Sequence, residues 1–164
     1  QPNTSFPWHT KGGVWEKDGD VYRGTTDNDS WQPFLMRGMA NNMELEFVMD
    51  AESRCSMLGI VLSNQGDGKL LNDLNHILAV DLENDRVYLT NAQWDLSNCR
   101  EYLFEENTEY HFRMLLIGNT IELYINDELV FNSGIDNTGA YRAGLFVNDG
   151  TITIRNLALY SVEE

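Results

Sequence analysis

Two glutamates one residue apart, Glu44 and Glu46, stand in an alternating apolar run. Two carboxyls on one strand can act as acid and nucleophile on a glycosidic bond when they lie about 5 Å apart. The strand pattern for that chemistry is Glu-x-Asp-x-x-Glu, and here its last position is Met49. The spacing therefore fails, and Glu44 and Glu46 are expected to form a solvated face. His9, His76 and His111 share no short spacing, so neither a zinc ligand set nor a histidine-based catalytic pair is expected. The chain carries no Gly-x-Ser-x-Gly elbow, and Asn64 to Lys69 holds no Gly-x-x-x-x-Gly-Lys phosphate cradle.

Binding chemistry is better represented than catalytic chemistry. Asn91 to Asn107 is the least regular long connection, and it gathers Gln93, Trp94, Asp95, Asn98 and Arg100. Irregular loops on a rigid scaffold are where binding concentrates. Trp94 either anchors that loop to the core or offers its indole to the apolar face of a sugar ring, with Asp95 taking hydroxyls. Arg37, beside apolar surface on a short strand, is either solvated or a rigid fork for vicinal hydroxyls. Trp31 and Asp149 complete the set of loop and strand-end positions without an assigned core role. Asp27, Asn28 and Asp29 could contribute oxygens to a calcium ion, although Trp31 and the lack of a following glycine break the EF-hand pattern, and an ordinary turn explains them as well.

The elements that must hold these residues read as strands. In Tyr110 to Ile117 alternate residues share a face, and Gly118-Asn119 ends the run. Ile121, Leu123 and Ile125 lead to Asn126-Asp127, which tolerates the positive φ of a tight hairpin, after which Leu129 and Phe131 are expected to resume the inward face. Asn148-Asp149-Gly150 gives a second hairpin signal between Gly144–Val147 and Thr151–Ile154. Ile152 and Ile154 keep one parity and Leu157 and Leu159 the other, which predicts a bulge near Arg155-Asn156. Upstream, Val14 to Tyr22 predicts two short strands with Trp15 in the core or at its rim. Met43 to Asp50 predicts a half-exposed strand, Met57 to Ser63 a buried one, and His76–Leu82 with Arg86–Thr90 a hairpin. Residues 1–13 read as an extended lead-in to a single domain spanning 1–164.

At 164 residues the chain is long enough for one self-sufficient core. Its formal charge of −15 repels phosphate backbones and anionic lipid, so nucleic acid and membrane are not expected partners, whereas a neutral polymer meets no such barrier. No apolar run approaches the roughly 20 residues of a helical span. With no signal-type segment at its start, the chain reads as a mature product or an excised module. Cys55 and Cys99 could bridge or remain free thiols.

Glu109-Tyr110-His111-Phe112, the run Ile121 to Val130, and Gly144-Leu145-Phe146-Val147 together resemble the concanavalin-like β-sandwich modules, most nearly the family 66 fructan-binding carbohydrate-binding modules and the C-terminal domains of family 32 glycoside hydrolases. The resemblance implies an all-β, two-sheet antiparallel sandwich of jelly-roll topology. It further implies a non-catalytic module of a secreted bacterial glycan-degrading enzyme, located outside the cell or at its surface. Its partner would be a neutral polysaccharide such as levan or inulin, and it would exist as a monomer or as part of a larger chain. The family leaves room for a structural calcium but for no catalytic cofactor. Many relatives carry a tryptophan where this chain has Asn148-Asp149. A hydrolase or lyase on the same sandwich and a laminin-G-like protein-interaction domain are the alternatives.

Overall fold

The computed structural model describes residues 8–9, 15–26, 34–36, 39–64, 76–137 and 139–162. In chain order the strands are β1 (Trp8–His9), β2 (Trp15–Asp18), β3 (Val21–Thr26), β4 (Phe34–Met36), β5 (Met43–Met49), β6 (Arg54–Ser63), β7 (His76–Asp81), β8 (Arg86–Thr90), β9 (Cys99–Glu101), β10 (Tyr110–Ile117), β11 (Thr120–Ile125), β12 (Glu128–Gly134) and β13 (Arg142–Ser161). All pairings among them are antiparallel.

The architecture turns on β13. Its first part, Arg142 to Thr151, pairs with β6, and its last part, Ile154 to Ser161, pairs with β5. Its other edge takes β4 at Gly144–Leu145 and β3 at Gly150–Ile154. One strand thus serves two layers. The front layer runs β9-β8-β7-β6-β13-β4-β1, and the back layer runs β12-β11-β10-β5-β13-β3-β2. Alternate residues of the two layers meet in one core: Leu58, Ile60, Leu78 and Val80 from the front face Leu45, Phe47, Phe112 and Met114 from the back. This is the expected antiparallel sandwich, with its apolar interior between two sheets.

Local chemistry explains most turns. Asn126 and Asp127 both adopt positive φ (52° and 66°), as a tight hairpin matching the strand twist demands. The predicted bulge is present: the β13–β5 register slips between Arg155 and Ala158, Asn156 has φ 56°, and Leu159 is thereby returned to the core. Trp15 lies buried, packed so closely beneath Gly24 that a Cβ there would come within 2.8 Å of the indole.

Two expectations need correction. Asn148-Asp149-Gly150 does not form a hairpin, because β13 continues through it with its β6 register unbroken from Asn148↔Met57 to Gly150↔Cys55. The positive φ at Asp149 instead serves a kink, at which a Cβ on Gly150 would lie 1.9 Å from the Arg54 carbonyl oxygen. Leu129 does not join the core. The β11–β12 register shifts after Leu123, placing Leu129 opposite Tyr124 and largely exposed, while Phe131 points inward. The connection from Asn91 to Asn107 holds one short strand, β9, paired to β8. Of the two alternatives open for the cysteines the structure shows free thiols: Cys55 packs against the core between the layers and Cys99 against a second cluster on the outer side of the front layer.

Candidate functional site

The larger cleft, about 350 Å³, opens where β5 ends and β6 begins. The turn after β7 supplies Glu83, the segment before β10 supplies Phe104, Glu105 and Asn107, and the β13 kink supplies Asp149. Arg54 is fixed at this cleft. Its Nη1 donates to the carbonyls of Ala51 (3.1 Å) and Ser53 (2.8 Å), and its Nη2 donates to Asn107 Oδ1. Three acceptors hold a side chain that would otherwise sample many rotamers, so the guanidinium is pre-positioned for a ligand oxygen.

The exposed Asp149 is set by its backbone. Its N–H donates to Thr26 Oγ1 at 3.1 Å, the Thr26 hydroxyl donates to the Val147 carbonyl at 2.9 Å, and the Ser56 hydroxyl donates to the Asn148 carbonyl at 3.0 Å. The cleft also contacts a ladder of rings that runs into the core. Tyr102 meets Phe104 at 4.9 Å, Phe104 meets Tyr110 at 5.5 Å, Tyr110 meets Phe112 at 6.3 Å, and Phe112 stacks on Phe47 at 5.2 Å. Asp85 Oδ1 accepts the Phe104 N–H (2.9 Å) and the Tyr110 hydroxyl accepts the Glu105 N–H (2.7 Å), so the start of the lining segment is tied down. Burial pushes the Cys55 thiol up to about 12, which keeps it protonated and unreactive at neutral pH.

A fixed guanidinium, carboxylates, hydroxyls and aromatic edges form the donor and acceptor set that grips a polyol. Among the described residues no three His, Cys, Asp or Glu side chains group as a metal-ligand set. Asp27, Asn28 and Asp29 lie outside the described residues.

The residues singled out in the sequence do not share one place. Asp149 lines the larger cleft. Asp95 lines a smaller one, about 210 Å³, with His76, Asn91 and Asp136, and hydrogen bonds from the Ser97 side chain and backbone hold its carboxyl below the usual range. Trp94, at φ 54°, is half-buried against the cluster of Val61, Ile77, Ala79, Tyr88 and Phe146 on the outer side of the front layer. Trp31 and Arg37 lie outside the described residues. Glu44 and Glu46 lie on the outer side of the back layer, not freely solvated but paired with Arg113 (3.3 Å) and His111 (3.4 Å). Arg54, Asn107 and Phe104 were not foreseen. The available signal was the aromatic and acidic run Tyr102 to Asn107, whose position becomes meaningful only once β9 folds it back beside β6.

No protein-family model matches the chain, and no curated protein does. Solved structures match it in fold. The carbohydrate-binding module CBM66 from Bacillus subtilis superposes with a TM-score of 0.75 at 18% identity, over 94% of this chain and 95% of that one. The Emp47p carbohydrate recognition domain gives 0.69 at 13% identity over 99% and 90%. A sialidase gives 0.66 at 11% identity, covering 95% of this chain but 17% of its own.

Proposed function

We propose that the chain is a non-catalytic glycan-binding module of a secreted glycan-degrading enzyme, with a neutral polysaccharide of the fructan class, levan or inulin, as ligand. The observation that carries this reading is the larger cleft, where the pinned Arg54 guanidinium and the exposed Asp149 carboxylate share a pocket lined by the end of an aromatic ladder. Planar polar groups with aromatic edges suit vicinal hydroxyls and the apolar face of a sugar ring together. The net charge of −15 favours a neutral ligand over an anionic one. Two of the proteins it superposes on are named for carbohydrate binding or recognition, and the sialidase match fills only 17% of that chain, which supports a sandwich carried as one part of a larger protein. Trp31 and Arg37 are proposed to extend the contact.

Affinity electrophoresis in gels containing levan or inulin tests the reading. The wild-type chain is retarded, and Arg54→Ala and Asp149→Ala each lose most of the retardation while melting like the wild type. Absence of retardation on every neutral glycan would remove the module reading in favour of protein interaction, and release of sugar from the polysaccharide would make the chain a hydrolase.

A further inference from the structure

The larger cleft carries an uneven set of charges. Arg54 brings one positive group to its lining, and Glu83, Glu105, Glu106 and Asp149 bring four negative ones. These four acidic residues are exposed, and none is ion-paired among the described residues. By contrast, Glu44, Glu46, Asp50 and Glu109 each meet an arginine or a histidine.

A lone arginine in a cleft suggests an acidic ligand, because a guanidinium matches the two oxygens of a carboxylate. Here three of its five donors are already engaged. Nη1 gives both of its hydrogens to the Ala51 and Ser53 carbonyls and Nη2 gives one to Asn107 Oδ1, which leaves Nε–H and one Nη2–H for a ligand. A sugar hydroxyl both accepts and donates, so it can bridge those donors and a neighbouring carboxylate. An ionised sugar carboxylate only accepts, and beyond Arg54 it meets four more acceptors of its own sign. A cleft of about 350 Å³ is comparable in width with the ~10 Å reach of a charge in 0.1 M salt, so a group that enters it senses all five. Four carboxylates against one guanidinium leave a formal −3 there.

We propose that Glu83, Glu105 and Glu106 are specificity-determining residues of this cleft, excluding sugars that carry a carboxylate and confining it to neutral rings. The inference rests on the glycan-binding reading above and deepens it, since it places the selection at the cleft lining and not in the overall charge of −15.

Equilibrium titration with inulin and levan oligosaccharides, each in native, hydroxyethylated and carboxymethylated form, tests it. The hydroxyethyl group supplies the added bulk without the charge. At low salt the carboxymethylated form binds about tenfold more weakly than the hydroxyethylated one, the scale of a few surface charge pairs, and the gap narrows as salt is added. Glu105→Gln combined with Glu106→Gln narrows it about threefold. Glu122→Gln combined with Asp136→Asn removes the same charge from the outer side of β11 and from the smaller cleft, and leaves the gap as it was. The inference is overturned if the carboxymethylated form binds as tightly as the hydroxyethylated one, or if its binding weakens with salt as an ion pair to Arg54 would. It is equally overturned if the two double variants shift the gap alike. With native inulin or levan still bound, any of these results removes the charge selection alone; if no native glycan binds, the glycan-binding reading fails and this inference with it.

Discussion

The two layers turn opposite kinds of surface outward. On the front layer the outer side is apolar and closed: Val61, Ile77, Ala79, Tyr88 and Phe146 form a cluster against which Met57, Trp94 and Cys99 pack. On the back layer it is charged and half-open, with Glu44 on Arg113, Glu46 on His111, and Arg113 stacked 4.1 Å over the Tyr124 ring. The same backbone pairing supports both. The difference shows that β7 and the second half of β6 are buried on two sides and contribute packing from nearly every residue, whereas β5 and β10 contribute packing mainly from every second residue and weak electrostatics from the rest.

Substitution tests that contrast. The largest effect is expected for Phe146→Ala, which empties a fully buried position on the front outer side and should cost about 3 to 5 kcal/mol in denaturant unfolding. If its cost matched that of Glu46→Gln, the second cluster would be no core at all. Trp94→Ala follows, with about 1 to 2 kcal/mol lost because only part of its surface is buried there. A change in glycan affinity without that loss of stability would return Trp94 to the role of a sugar platform.

Thr90→Val should move the other way. Thr90 pairs with Ile77 and its hydroxyl is unsatisfied, so an isosteric apolar group should raise stability by about 1 kcal/mol. Acidification comes next. Burial holds His76 below its ordinary value of 6.5, so the unfolded chain takes up the proton first. The stability tied to neutral His76 is therefore complete above about pH 6.5 and lost as pH falls from there toward the folded-state value, and His76→Gln should flatten that part of the melting profile. The smallest effect is expected for Glu44→Gln and Glu46→Gln, about 0.5 kcal/mol each and shrinking with added salt.

This contrast also explains what could be read from residues alone. β5 and β10 alternate over most of their length, so Leu45, Phe47, Phe112 and Met114 were identifiable as core, Met57 to Ser63 as a buried run, and His76–Leu82 with Arg86–Thr90 as a hairpin. Asn148-Asp149-Gly150 was misread because a hairpin and a kink need the same positive φ. Only pairing with β6 and β3, distant in sequence, selects the kink. Leu129 was misread because a one-residue register shift leaves no local mark. Asp95 and Asp149 stood out as polar residues in loops or turns, but their placement at opposite ends of β7 depends on topology.

The position of β13 in the chain sets the order in which the molecule can form. The hairpins β7–β8 and β10–β11–β12 close over short loops and can assemble as soon as they are synthesised. β5 and β6 cannot finish their layers, because the strand that pairs with an edge of each comes from residues 142–161. Until that segment leaves the ribosome, β5 and β6 each keep an open sheet edge. The last step is then one long-range closure that completes both sheets and the kink carrying Asp149 at once, a topology of non-local pairing that slows folding.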